Sequence, residues 1–391
     1  MASPAQTAFA PGQGVNAAPA SAAQRARPFV QAAKHGVEMA SPFLGTQGNN
    51  TITFGPSPLP ATGYIRRVRL PTVLAGGTGG TAIAGGDAPF NFYNLVRLAE
   101  PNAAPIVELS GYNLLLADVY GGYTGRADPR EDWDYVAAAP NVNIEPYVPV
   151  ELDPTGMGAL SNLSNASAFR LTLIAEAASN IYSTAPSPLP AFACYPHVDY
   201  WTLPNPVDMD GNPQATAPPF PGTIQLWSQI QNLGVNQGNN RTSLNRMGNQ
   251  LRTVIAVARV AGVRSEAPFP NPAMLRWDDI NLRIESPQSI RKVMREYVNS
   301  TMPRDVGVYV FPFSFGVTRQ LGGNGISSFL PTVTATRFEL SGASGTAGTI
   351  DWVINDVSSA PVAGVQRATV GGGLGYFPPA GSVTAIPGGG T

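Results

Sequence analysis

The chain has 391 residues, of which 13% are charged and 43% are hydrophobic, and its 42 Gly and 38 Pro exceed average usage. The formal net charge of −1 argues against a nucleic-acid-binding protein, which needs a basic face to displace counterions. With the one cysteine, Cys194, neither an intramolecular disulfide nor a thiolate metal cluster can form.

The N-terminal segment, residues 1–48, is rich in Ala, Pro, Gln, Ser and Gly and contains few large side chains. It cannot bury enough apolar area to offset its ordering entropy, so we expect a flexible arm. Within it, "QRARPFVQAAKHGVEMA" has weak helical character and places Arg25, Arg27 and Lys34 close to Phe29. The first 20 residues lack the basic start and apolar core of a secretory signal, so we expect a chain that is soluble when made.

Two sets of strand-like segments follow, and we assign residues 49–215 to the first and residues 216–360 to the second. In "AFRLTLIAEA" apolar residues alternate with Arg170 and Thr172, as in a half-buried strand. "TVIAVARV" is apolar on both faces and suits an inner strand, and "PIVELSGYNLLLADVY" is also interpreted as a strand. Residues 361–391 form a second flexible tail. The composition predicts an all-β chain with a domain boundary near residue 215.

One segment, "SPQSIRKVMREYVNS" (286–300), predicts an α-helix with Ser286 as its cap and Pro287 at its first position. The apolar side chains that should pack on the sheet are Ile290, Val293, Met294 and Tyr297; the basic ones that should point outward are Arg291, Lys292 and Arg295. The first set has a helix-capable segment, "GRADPREDWDYV", at the matching place after Tyr123. The two sets therefore repeat one architecture, in which a helix is a fixed connection.

No segment specifies a catalytic or metal site. The two histidines, His35 and His197, lack a surrounding motif, and Cys194 is interpreted as a small buried apolar residue. "DMDGN" (208–212) begins like a calcium loop, but the closing Glu is missing, so a turn is the better interpretation. We expect no enzyme activity and no cofactor.

Several segments resemble those of double jelly-roll major capsid proteins of tectivirus-like, membrane-containing bacteriophages. They are "DAPFNFYNLVRLAE", "PIVELSGYNLLLADVYGGY", "QLRTVIAVARV", "DVGVYVFPFSFGV" and "FLPTVTATRFELSGASGTAGTIDWVINDV", and they span residues 50–358. The resemblance implies two tandem eight-stranded jelly rolls with short flanking helices. It also implies a homotrimer that forms a pseudo-hexagonal capsomer and tiles an icosahedral shell over an internal lipid membrane.

The implied partners are neighbouring capsomers, penton and minor capsid proteins, with no sequence-specific nucleic-acid binding. The implied location is the virion capsid, after synthesis in the host cytoplasm. In that setting Arg25, Arg27, Phe29 and Lys34 are the candidate inward-facing or membrane-contacting residues of the arm. Two other classes stay open: a trimeric receptor-binding or spike protein, and a carbohydrate-active enzyme on a jelly-roll scaffold.

Overall fold

The computed structural model describes residues 26–82, 87–121, 134–135, 142–152, 154–244, 248–278, 280–297, 305–313, 329–332, 336–358, 368–370 and 373–375. The helices in these residues are α1 (Phe29–Ala32), α2 (Gly111–Tyr120), α3 (Ala178–Ile181) and α4 (Pro287–Tyr297), with short 3-10 turns at Phe90–Phe92 and Asn165–Ser167.

Strands make up most of the regular structure, and they fall into two units. The strands of the first unit are β1 (His35–Met39), β2 (Phe43–Thr46), β3 (Ile52–Pro58), β4 (Gly63–Arg69), β5 (Thr72–Ala75), β6 (Thr81–Ala82), β7 (Tyr93–Ala99), β8 (Pro105–Leu109), β9 (Asp134–Tyr135), β10 (Val142–Ile144), β11 (Tyr147–Pro149), β12 (Leu160–Asn162), β13 (Arg170–Ala175), β14 (Tyr182–Thr184), β15 (Ala191–Cys194) and β16 (His197–Trp201). Those of the second unit are β17 (Ile224–Val235), β18 (Gly238–Ser243), β19 (Gln250–Val260), β20 (Val263–Arg264), β21 (Ala273–Trp277), β22 (Ile280–Glu285), β23 (Val308–Pro312), β24 (Leu330–Pro331), β25 (Phe338–Ser344) and β26 (Gly348–Ser358), followed by a terminal hairpin of β27 (Ala368–Val370) and β28 (Gly373–Gly375).

Each unit is a jelly roll with the same strand order. In the second unit one sheet runs β17-β26-β19-β23 and the other runs β18-β25-β21-β22. In the first unit the matching long strands are each broken into two, so that β1/β2, β16/β15, β4/β5 and β11/β10 form one layer and β3-β13-β7-β8 forms the other. Both units therefore contain eight main strands paired 1-8-3-6 and 2-7-4-5. This order confirms the predicted pair of eight-stranded jelly rolls.

A helix connects the fifth and sixth strands of both units: α2 follows β8, and α4 follows β22. In α4, the Ser286 hydroxyl accepts a hydrogen bond from the Ser289 N–H at 3.2 Å, so the predicted cap and helix start are confirmed. Ile290 is buried, and Val293 and Met294 are half-buried on the same face. Lys292 is exposed, but Arg291 is half-buried and pairs with Glu266 at 2.9 Å rather than pointing freely outward. The side chains of Arg295 and Tyr297 lie outside the described part.

The position of the first connecting helix differs from the prediction. The segment interpreted as one strand is strand β8 followed by helix α2, which begins after Ser110. All ten residues of α2 are buried. An apolar run that is buried on every side lacks an amphipathic stripe, so periodicity cannot distinguish a helix from a strand there. The segment predicted as helical after Tyr123 lies outside the described residues except for β9.

The predicted arm also differs, because strands β1 and β2 lie within residues 1–48 and belong to the first unit. Strand β1 pairs antiparallel with β16, and β2 pairs antiparallel with β15. These strands form through long-range pairing, which local composition does not reveal. Residues 1–25 lie outside the described part of the chain. Between the units, β16 ends at Trp201 and β17 begins at Ile224, so the predicted boundary near residue 215 falls in this connection.

Candidate functional site

The junction between the two units is formed by a shared sheet and by buried side chains from both units. Strand β17 of the second unit pairs in parallel with β8 of the first, with Trp227 opposite Val107, so that one sheet continues from unit to unit. Ile255 and Val257 of β19 join the core of the first unit, whereas Val254 and its same-face neighbours belong to the core of the second. The predicted inner strand "TVIAVARV" is therefore confirmed, and the reason is that both of its faces are covered.

Helix α2 contributes polar contacts to this junction. The side-chain oxygen Oε1 of Gln229 in β17 accepts hydrogen bonds from the Ser110 N–H and the Asn113 amide, both at 2.7 Å. The Tyr120 hydroxyl donates to Asp305 at 3.2 Å. These contacts fix α2 in place because buried polar groups are costly unless they are hydrogen-bonded.

A chain of buried charges crosses the same junction. Arg259 contacts Asp87 of the first unit at 2.6 Å and Asp351 of its own unit at 2.8 Å. Arg264 contacts Asp87 at 2.9 Å and Asp305 at 3.2 Å. Burial raises the pKa of Asp87, and the two guanidinium groups oppose that shift. The sequence did not reveal this network, because its members come from separate segments that meet only after folding.

Tyr112 of α2 lies beneath the two arginines of this network. The guanidinium carbons of Arg264 and Arg259 lie 4.8 Å and 5.7 Å from the centre of its ring, within reach of a cation–π interaction. Burial raises the pKa of Tyr112 well above its usual value, so the phenol stays neutral. The arrangement joins the units and contains no nucleophile beside a base.

A second charged group lies on the outer face of the first unit. The pairing of β16 with β4 shifts register between Asp199 and Tyr200, and the bulge brings Arg66 to the same face as Arg67. Asp199 is buried and pairs with Arg67 at 2.5 Å and with Arg69 at 3.0 Å. Positive and negative charges therefore compensate one another on this face.

The aromatic neighbours of this group hold Arg66 in place. Its guanidinium lies 4.3 Å from the Trp201 ring centre, and it pairs with Glu151 at 2.7 Å. The indole N–H of Trp201 donates to the same carboxylate at 3.1 Å. His35 packs edge-on against Trp201, and partial burial together with the nearby Arg66 lowers its pKa. The neutral imidazole is favoured there, which fits a structural role.

The predicted arm residues are placed differently from one another. Phe29 is buried and contacts Tyr64 and Trp201 edge-on, with ring centres 5.3 Å and 6.3 Å apart, so its ring packs inside the chain and is not available to a membrane. Arg27 and Lys34 have exposed side chains. Arg25 lies outside the described residues. Phe29 is therefore removed from the predicted inward-facing or lipid-contacting group, and the cationic residues stay in it as a prediction.

Two backbone contacts attach these cationic residues to the connection between the units. The Arg27 N–H donates to the Pro213 carbonyl at 2.9 Å, and the Lys34 N–H donates to the Thr202 hydroxyl at 2.9 Å. Hydrogen bonds therefore hold the backbone of both residues beside the inter-unit connection, while their side chains are exposed.

The structure places the remaining candidates for chemistry in separate environments. Cys194 is buried beside Thr72 and Tyr93, and burial raises the pKa of its thiol to about 11. His197 is half-buried in β16. The Asp208 carboxylate accepts hydrogen bonds from the N–H groups of Asp210 and Asn212 at 2.9 Å and 2.8 Å, which makes "DMDGN" a side-chain-stabilised turn. In the described residues no group of three or more His, Cys, Asp or Glu side chains could hold a metal ion.

Unpaired strand edges carry several of the exposed large apolar side chains. Val37 and Met39 lie on β1, Leu44 lies on β2, and Ile280 and Ile284 lie on β22. Each of these strands has a neighbour on one side only in the described part of the chain. An exposed apolar strand edge is a template for pairing with another chain. No helix in the described part is long and apolar enough to cross a membrane.

Comparison with known proteins finds similarity in structure and none in sequence. No protein-family model matches the chain, and no curated protein matches it. The crystal structure of the STIV major capsid protein is similar, with 11% identity, a TM-score of 0.59, and coverage of 83% of this chain and 97% of that one. The major capsid protein P2 of bacteriophage PM2 has 9% identity, a TM-score of 0.51, and coverage of 84% and 98%. PBCV-1 VP54, fitted into a reconstruction of the virophage Sputnik, has 12% identity, a TM-score of 0.55, and coverage of 88% and 98%.

Proposed function

We propose that this chain is a major capsid protein whose copies trimerise into pseudo-hexagonal capsomers and build an icosahedral shell over an internal lipid membrane. The observation that carries the proposal is the fusion of two equivalent jelly rolls into one sheet through β8 and β17. Three such chains present six similar units, and a near-hexagonal block of this kind packs without gaps. The similarity to solved capsid proteins over most of the chain supports this reading.

The role is structural rather than catalytic. The charged side chains that meet in the described residues do so as compensated pairs, as in Arg259 with Asp351 and Arg67 with Asp199. The expected partners are further copies of the chain, penton proteins and minor capsid proteins, and the expected location is the virion. The near-zero net charge suits repeated contacts between copies, since it produces little mutual repulsion.

Purification and imaging of the full-length protein test the proposal. Light scattering should give three times the mass of one chain, and electron microscopy should show blocks of hexagonal outline with two sandwiches per chain. A solitary monomer that hydrolyses glycans, or a trimer that binds host cells and forms no shell, would contradict it.

The membrane contact is a separate part of the proposal, and it assigns Arg25, Arg27 and Lys34 to the inner surface. Each basic residue near an anionic surface contributes about 1 kcal/mol, so replacing all three with Ala should weaken flotation with phosphatidylglycerol vesicles. The matched control replaces three exposed cations elsewhere in the chain, Arg170, Arg241 and Lys292, with Ala. Equal flotation of both variants would exclude these residues as the contact.

A further inference from the structure

We infer that strand β22 of one copy lies beside β1 and β2 of a second copy and extends its sheet, repeating between chains the contact that β8 and β17 make within the chain. The inference rests on the proposed function, because it needs copies that associate. It goes beyond it by naming the two strand edges that meet.

The contact between the units joins the fifth strand of one unit to the first strand of the other. Strand β8 is the fifth main strand of the first unit, and β17 is the first main strand of the second; they pair in parallel at Val107 and Trp227. The fifth strand of the second unit is β22, and the first strand of the first unit is β1 continued by β2. Since both units have the same strand order, the same contact can be formed by β22 with β1 and β2 of the next copy.

Most other edges of the main strands lie against a helix or have a sequence that disfavours pairing. The sixth strands, β11 and β23, lie against helices α2 and α4 respectively. The second strands are protected by composition: β3 contains Pro56 and Pro58, and β18 reads "GNNRTS". Proline and polar residues are common devices that keep an edge from pairing. The edges that remain among the main strands in the described part of the chain are the first strand of the first unit and the fifth strand of the second unit, and the first of these carries one exposed charge, Glu38.

Both edges also expose large apolar side chains. Ile280 and Ile284 of β22 are 67% and 57% exposed, and Met39 and Leu44 of the opposite edge are 56% and 58% exposed. A charged side chain on an edge strand can hinder pairing, but the guanidinium of Arg283 in β22 is directed to the Pro312 carbonyl, to which it donates at 2.6 Å. Pairing would bury these side chains and satisfy the edge N–H and C=O groups, as in strand addition.

A heterologous contact of this kind joins unlike surfaces and closes into a ring when the rotation between copies permits. Within each chain the fifth strand of the first unit, β8, lies beside the first strand of the second unit, β17. Between chains the fifth strand of the second unit, β22, would lie beside β1 and β2, the first strand of the next copy's first unit. A ring of three chains would then contain six contacts of one type, which is the geometry that the proposed capsomer needs.

Engineered thiols test the contact directly. Cys194 is buried with a raised pKa, so added cysteines are the reactive ones. Four double variants combine Val37→Cys or Met39→Cys with Ile280→Cys or Ile284→Cys. Under mild oxidation at least one should give disulfide-linked trimers on a non-reducing gel. The control, Met209→Cys with Val263→Cys, uses residues that are also exposed and should stay monomeric on that gel.

A charge variant provides the second readout. Ile280→Lys with Ile284→Lys should keep the far-UV circular dichroism spectrum of the folded chain, because both side chains are exposed in the single chain, and should abolish the trimer in light scattering. Val263→Lys should leave the trimer intact. If the unmodified protein is trimeric, the Lys variant is also trimeric and no thiol pair links chains, the inference is wrong and the proposed function stands. If the unmodified protein is monomeric at every concentration, both are wrong.

Discussion

Single residues of α4 differ sharply in what they contact, and Ile290 is the one that enters the second core. Its side chain is 1% exposed, whereas Gln288, two residues earlier and on a different face, is exposed. Ile290→Asp should lower the free energy of unfolding by about 3 kcal/mol or more, because it buries an unpaired carboxylate. Gln288→Asp should change it by less than about 0.5 kcal/mol. Denaturant unfolding followed by circular dichroism measures both, and equal losses would contradict the assignment of the buried face.

Cys194 gives a residue-scale prediction about reactivity. With a pKa of about 11, its thiol is almost wholly protonated at pH 8. A chromogenic disulfide reagent should therefore react about 10²-fold more slowly with the folded protein than with protein unfolded in guanidinium, where the pKa is near 8.5. The raised pKa favours the neutral thiol, so its contribution to stability is present below pH 8.5 and declines as the pH rises toward 11. Comparable rates in folded and unfolded protein would contradict the burial of this thiol.

At the scale of elements, the close approach of α2 to the turn at Phe90 and to the start of β7 depends on Gly111. A Cβ at this position would lie 2.1 Å from the Phe90 carbonyl oxygen and 2.9 Å from the Cβ of Tyr93. Backbone contacts of that kind cannot be relieved by rotating a side chain, so α2 begins where only glycine fits. The two helices connect the same pair of strands in their units but differ in burial. Helix α2 is buried on all sides, whereas α4 is amphipathic.

Gly111→Ala should displace α2 and lower the free energy of unfolding by about 1–3 kcal/mol, the usual cost of overpacking a core. Gly234→Ala is the control, because a Cβ there meets nothing within 4 Å. Thermal unfolding compares the two. A Gly111→Ala midpoint equal to that of the control would show that α2 approaches the sheet less closely than described.

For the whole molecule, the junction makes one folded body from two jelly rolls. The continuous sheet through β8 and β17, the shared first core and the charges around Asp87 all cross it. The buried ion pairs there are sensitive to the loss of one partner, since the other charge then stays buried without compensation.

Arg259→Leu should lower the free energy of unfolding by about 3–5 kcal/mol, because Asp351 loses the guanidinium that contacts it at 2.8 Å and Asp87 keeps only Arg264. Arg97→Leu is a matched control: Arg97 pairs with Glu108 at 3.6 Å, and both side chains are more than a third exposed. That exposed pair should contribute less than about 1 kcal/mol. Guanidinium unfolding measures both variants, and a loss for Arg259→Leu no larger than for Arg97→Leu would exclude the junction network as a determinant of stability.

What the sequence determined by itself was local. Alternation in residues 169–173 predicted a half-buried strand, and Leu171 and Leu173 of β13 indeed lie in the core. Ser286 and Pro287 predicted the start of α4, and the order of strands and helix predicted two similar units. The strand and helix signals depend on neighbours within a few positions in the chain, and the repeated order of elements is a property of the sequence order, so both can be recognised without the tertiary structure.

What only the tertiary structure decided depends on residues far apart in sequence. Helix α2 resembled a strand because neighbouring elements cover all of its sides, and β1 and β2 looked like part of an arm because their partners are more than 140 residues away. The meeting of Arg259 with Asp87, and the unpaired edges at Met39 and Ile284, are likewise consequences of topology. Pairing and burial between distant segments are properties of the folded chain, so no local pattern encodes them.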